Sequence, residues 1–91
     1  MPKYRKIPVE IEAIVSTGFP ESNREIIEWT KGSHTPAYMD NHPEHGPMLS
    51  INTLEGAHWV SPGDYVIRGV KGEFYACKPD IFNLTYERVL G

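Results

Sequence analysis

The chain has 91 residues, 40% of them hydrophobic, and a net charge of −3. That is enough for one globular domain over residues 1–91 but leaves little core for a deep private pocket, so a site of useful size is expected at a surface groove or between subunits. The acidic balance argues against sequence-independent nucleic-acid binding, which depends on excess Lys and Arg. No apolar run approaches a membrane span, and the lone Cys77 permits no internal disulfide. The composition therefore suits a cytoplasmic protein.

From residue 7 to 15 apolar side chains alternate (Ile7, Val9, Ile11, Ala13, Val15), the period of a strand with one buried face. Pro8 has no amide hydrogen for a ladder and places that end at an edge. After Thr17-Gly18-Phe19-Pro20, the Ser22-x-x-Glu25 spacing predicts a capping box. A short helix then follows with Phe19, Ile26, Ile27 and Thr30 on one face, and Lys31-Gly32 as its stop. Residues 33–47, with three prolines and three histidines, read as a long loop.

The second half predicts an antiparallel meander of strands at about 48–54, 57–61, 65–70 and 73–78. Its turns are Glu55-Gly56, a type II turn at Ser61-Pro62-Gly63-Asp64, and Lys71-Gly72. Counting outward from Lys71-Gly72 pairs Gly69 with Phe74, Arg68 with Tyr75 and Ile67 with Ala76. That register sets Tyr65, Ile67, Phe74 and Ala76 on one face, and it leaves Arg68 between Val66 and Val70 against Tyr75. A helical turn carrying Ile81, Phe82 and Leu84 and a last strand over 85–90 complete the chain. The predicted fold is α+β, a small antiparallel sheet or open barrel of five to six strands with one short helix.

Several groups of residues could carry chemistry. His34, Asp40, His42, Glu44 and His45 gather potential metal ligands in one loop, but their spacing matches no zinc pattern, and solvated side chains are the expectation. Cys77 and His58 could form a nucleophile and base, although the position of Cys77 within a strand favours packing. Glu10 and Glu12 share one side of a strand and read as a solvent-facing edge before they read as catalytic carboxylates. Neither catalytic residue, metal nor cofactor is expected. The aromatic and basic set Tyr4, Arg5, Lys6, Tyr65, Arg68, Lys71, Tyr75 and Lys78 supplies donors for phosphate and faces for bases, which is what a nucleotide-like ligand requires. Arg68 stands out, since a charge among valines needs a partner such as Glu73, Tyr75, a neighbouring subunit or an anionic ligand.

The run from Pro62-Gly63-Asp64-Tyr65-Val66-Ile67-Arg68-Gly69-Val70-Lys71-Gly72-Glu73-Phe74-Tyr75 through Ala76-Cys77-Lys78-Pro79-Asp80-Ile81-Phe82, followed by Thr85-Tyr86-Glu87, resembles a family of small phage and prophage proteins. The opening Lys3-Tyr4-Arg5-Lys6-Ile7-Pro8-Val9-Glu10-Ile11-Glu12-Ala13 resembles the same family, with Ile7 and Ala76 departing from the expected Lys and Pro. The resemblance covers roughly the first 15 and last 35 residues, and implies a viral source more firmly than an activity.

It points to a non-enzymatic accessory protein of the infected bacterial cytoplasm that binds and sequesters a small anionic ligand, a nucleotide immune signal, near a homo-oligomer interface. Arg68 and Lys71 would hold phosphate and Tyr75 or Tyr65 would stack, with Lys78 beside them and Tyr4, Arg5 and Lys6 in support. An interaction module that inhibits a host protein through the meander edge or the long loop is the alternative, and a small nucleotide-processing enzyme is a third reading. A DNA-binding regulator is disfavoured, because neither a helix-turn-helix pattern nor a basic helix is present.

Overall fold

The computed structural model describes residues 1–5 and 7–90. In chain order the elements are β1 (Glu12–Val15), α1 (Pro20–Thr30), β2 (Ala37–His42), β3 (Gly46–Thr53), β4 (Gly56–Trp59), β5 (Tyr65–Arg68), β6 (Phe74–Cys77) and α2 (Pro79–Thr85). They form an α+β fold of two antiparallel three-stranded sheets, ordered β1-β5-β6 and β2-β3-β4, which do not close into a barrel. A second helix, α2, stands where a single helical turn was expected, and the predicted strand over 85–90 does not form.

The first predicted strand is cut to four residues. Glu12 pairs with Arg68, after which β5 bends into its hairpin, so residues 7–11 run past the end of the sheet with no strand to join. Ile7 and Val9 are consequently 77% and 52% exposed. Helix α1 begins without the predicted capping box. Phe19 is its N-cap and Pro20 opens the first turn, where a missing amide costs nothing. Ser22 Oγ instead accepts the amide of Thr17 at 3.1 Å, and Phe19 lies exposed rather than on the buried face. The predicted stop does form: the Ser33 amide reaches Thr30 O, with Gly32 at φ +83°.

Most of the predicted loop over 33–47 is the hairpin β2–β3. Within the hairpin, Pro43 lies in the turn and Pro47 where no ladder bond is lost. The Asn52 amide donates to Pro36 O, so alternation along the ladder puts Pro47, opposite Asn41, at a pair that exchanges no bonds. His42 closes the turn, its Nδ1 accepting the amides of Glu44 at 3.0 Å and His45 at 3.2 Å.

The four strands of the second half form but not as one meander: β4 and β5 lie in different sheets and do not pair, which leaves the hairpins β3–β4 and β5–β6, each with a corrected register. Thr53 pairs with Gly56, so Leu54-Glu55 is the tight loop in place of Glu55-Gly56. At the second hairpin the Gly69 amide meets Glu73 O and the Gly72 amide meets Gly69 O, with Gly72 at φ +80°. This is a type I turn followed by a left-handed glycine, a three-residue loop instead of the two-residue Lys71-Gly72 turn. The extra residue slips β6 by one, so Arg68 pairs with Phe74 and Ile67 with Tyr75. A slip of one exchanges the faces of a strand. Phe74 and Ala76 join Val66 in the core, and Tyr75 and Cys77 move to the face of Tyr65 and Ile67.

The core joins Ile26 of α1 to Ala37, Leu49, Ile51 and Val60 from one sheet region and Val66 and Phe74 from the other. Trp29 meets Phe74 edge to face, centroids 4.9 Å apart. Helix α2 lies on the opposite face, where Phe82 stacks on Tyr65 at 3.8 Å. Ile81 and Leu84, expected to pack beside Phe82, are exposed. Hydroxyls tie these layers together. Thr30 Oγ1 donates to Ile27 O and accepts the Ala37 amide, Ser33 Oγ donates to Thr30 O and accepts the Thr35 amide, and Thr35 Oγ1 accepts the Phe74 amide at 2.6 Å.

Replacing Thr35 by Val keeps the volume and strips the buried Phe74 amide of its acceptor, which should cost about 1–3 kcal/mol in urea unfolding, whereas Thr35→Ser should retain most of the stability. Gly18 sits at φ +84°, and a Cβ there would lie 2.7 Å from Pro62 Cγ. Gly18→Ala should therefore lower stability by at least about 1 kcal/mol, read as a drop of several degrees in thermal midpoint.

Candidate binding groove

Sheet order leaves β4 and β6 as edge strands, and a groove of about 500 Å3 lies between them. Thr35 and Phe74 reach it from the interior, His58 and Trp59 line one side, and Tyr75, Cys77 and Lys78 line the other. The Gly69–Glu73 bond fixes which residues of β6 bond inward, so the N–H and C=O of Ala76 point to the open edge and have no partner among the described residues. By the same count, from the bond between the Val60 amide and Leu49 O, Ala57 and Trp59 present their backbone groups at the edge of β4. The groove is thus apolar in its walls and bordered by two unfinished ladders.

Its charge is negative. Among the described residues, Glu55, Asp64 and Glu73 line it against one cation, Lys78, and Lys78 Nζ already lies 3.1 Å from Asp64 Oδ2. Asp64 is buried and also accepts the Ser61 amide at 2.9 Å, so it holds both the turn before β5 and the lysine after β6.

Of the aromatic and basic residues expected to bind a ligand, Tyr75 and Lys78 line this groove and the other described ones do not. Arg68 is half exposed and meets Glu12, its cross-strand neighbour, at 3.3 Å, so its partner is a carboxylate on β1 and not a buried ligand. Lys71 lies at the exposed hairpin tip, its amide 3.4 Å from Glu73 Oε1. Tyr65 has one ring face covered by Phe82. Tyr4 and Arg5 lie in the exposed segment before β1, and Lys6 lies outside the described residues. The Tyr75 hydroxyl lies 3.5 Å from that of Tyr86. Burial, and after it this contact, push its acid dissociation well above the usual tyrosine value, so the phenol stays neutral.

Reading the sequence missed Trp59, Thr35, Glu55 and Glu73 as groove residues. A tryptophan in a short strand next to a turn was the available signal for Trp59. The other three are assembled only by tertiary packing.

His58 and Cys77 both border the groove. Burial, then Asp80 and Asp64, push the Cys77 thiol up, and Sγ lies 3.6 Å from Lys78 O. A protonated thiol is a poor nucleophile, so the pair suits packing better than attack. Glu12 is engaged with Arg68, and Glu10 is exposed. His42 and His45 stack at 4.6 Å and His42 meets Trp59 at 4.8 Å. Among the described residues no three His, Cys, Asp or Glu side chains converge as a metal site, and no helix is long and apolar enough to cross a membrane.

Iodoacetamide should alkylate Cys77 more slowly in the folded protein than in urea at pH 8, followed by mass spectrometry, because the folded state keeps the thiol protonated to higher pH. Asp64→Ala should cost about 1–3 kcal/mol by removing an acceptor from a buried turn. Arg68→Ala should cost no more than about 1 kcal/mol, since its ion pair is solvent-exposed. Both are measurable by urea titration.

No protein-family model, curated protein or solved structure matches the chain.

Proposed function

We propose that this chain is a non-enzymatic interaction protein whose groove takes an extended polypeptide segment, adding a strand to the open edge of β6. The observation that carries this reading is the pairing of an apolar, aromatic-walled groove with free backbone donors and acceptors at Ala76. Strand addition uses both at once: the edge supplies main-chain bonds and the walls sort alternate side chains. The negative lining of Glu55 and Glu73 favours a segment carrying Lys or Arg. With the resemblance of the first and last segments to small phage proteins, the reading becomes a phage accessory protein that engages a protein in the cytoplasm of its host.

The sequestration of a small anionic, nucleotide-like signal is a second reading, favoured by one observation: Tyr75 and Lys78 share the groove with Trp59, so a stacking face and a cation are together. Phosphate would meet Glu55 and Glu73 there, so this reading needs further basic groups from another copy.

An array of extended peptides tiled from host proteins separates the two. The first reading expects retained segments enriched in Lys or Arg, with affinity falling at least about ten-fold in Trp59→Ala, as for an aromatic at the centre of an interface. Native mass spectrometry with cyclic oligonucleotides and NAD-derived nucleotides is the second arm. An adduct there with no retained peptide shifts the conclusion to the nucleotide, and silence in both arms overturns the groove as a site for a host peptide or a nucleotide.

A further inference from the structure

The segment before β1 has the inverse properties of the groove. Residues 3–11 read Lys-Tyr-Arg-Lys-Ile-Pro-Val-Glu-Ile, basic at the start and apolar at every second position from Ile7. Tyr4 is 94%, Ile7 77% and Val9 52% exposed, and no residue from 7 to 11 belongs to a strand. Alternating apolar side chains on a segment outside any strand are a standing invitation to pair with another chain. The groove offers the complement: an unfilled strand position at β6, apolar walls, and Glu55 and Glu73 facing a segment that carries Lys3, Arg5 and Lys6.

We propose that the groove receives residues 3–11 of a second copy of this chain, which add to the edge of β6 as a strand. The inference rests on the strand-addition reading of the groove and names its partner. Backbone chemistry fits the arrangement. Pro8 has no amide, so the added strand would turn Pro8 away from β6 and direct the main-chain groups of Ile7, Val9 and Ile11 toward it, which is the alternation a single antiparallel or parallel ladder allows. Nine extended residues span roughly 30 Å, enough to leave one copy and lie along the four residues of β6 in another. Tyr4 and Arg5 then fall near the rim, where an aromatic ring and a cation meet Trp59 and the carboxylates. Reciprocal exchange about a twofold axis closes the assembly as a dimer. An external peptide would enter the groove by displacing this arm.

Sedimentation velocity and native mass spectrometry of the full chain test the proposal with three proteins: the wild type, an arm reversal (K3E with R5E) and a groove reversal (E55K with E73K). The expected results are a dimer for the wild type, and for each reversal a dimer dissociation constant raised at least about ten-fold, the loss of two modest ion pairs at each of the two arms. Mixing the two reversed proteins should restore association as a heterodimer, because each arm then faces a groove of opposite charge. Restoration on mixing excludes misfolding as the cause of dissociation, and E55K alone, at an exposed loop tip, provides a milder second variant. A wild type that stays monomeric at micromolar concentrations, or a dimer indifferent to both reversals, overturns the arm as occupant. If such a monomer still retains host peptides in a Trp59-dependent manner, strand addition stands and only the second copy is lost. If it neither associates nor retains peptides, both fall.

Discussion

The two sheets of this chain share no ladder, so what holds them in register is side-chain chemistry between them, and the shortest such link is the bond from the Phe74 amide to Thr35 Oγ1. Thr35 is itself fixed by Ser33, and Ser33 by the last carbonyl of α1. Each of these hydroxyls replaces a backbone partner that a longer strand would have supplied. The arrangement ends pairing at β6 on one side of the Thr35 contact and leaves the rest of that edge open. The groove is thus a consequence of how the sheets are joined: a hydroxyl bonds one amide where a strand would have covered them all.

Much of the architecture was legible in the chain. The turn Ser61-Pro62-Gly63-Asp64 forms, with Gly63 at φ +95° and the Asp64 amide bonded to Ser61 O, because Pro and Gly set those two conformations with little help from their surroundings. The stop at Lys31-Gly32 and the four strands of the second half belong to the same class of local signal, whereas their division between two sheets does not. The hairpin β2–β3 was hidden, since Pro36, Pro43 and Pro47 suggest a loop unless it is known that Pro36 precedes the strand, Pro43 lies in the turn and Pro47 lies at a pair that exchanges no bonds. The strand expected over 7–15 forms only over Glu12–Val15, for the opposite reason. Its alternation is real, but a strand needs a neighbour, and β5 ends four residues in.

The candidate site was less legible than the fold, and one residue explains most of the gap. The sequence does not distinguish a two-residue from a three-residue loop at Val70-Lys71-Gly72, and that difference decides the face of everything in β6. With the slip, Arg68 stands opposite Phe74 and leans toward Glu12, so the argument for a buried cation seeking an anion loses its premise. Tyr75 and Lys78 remain at a groove, beside aromatic and acidic neighbours that no local pattern brings together. Residue type identified the chemistry on offer, and topology decided which pieces meet.

That hairpin tip has a further meaning for how this chain can change. Gly72 holds the left-handed position that lets three residues close the loop. Loss of a single residue here would not simply shorten a surface loop. It would rotate β6 by half a turn about its own axis, offer Tyr75 and Cys77 to the interior in place of Phe74 and Ala76, and separate the Phe74 amide from Thr35. Length at this tip therefore constrains the fold as strictly as the identity of a core residue, although every side chain in the loop could be exchanged with little consequence except at the glycine.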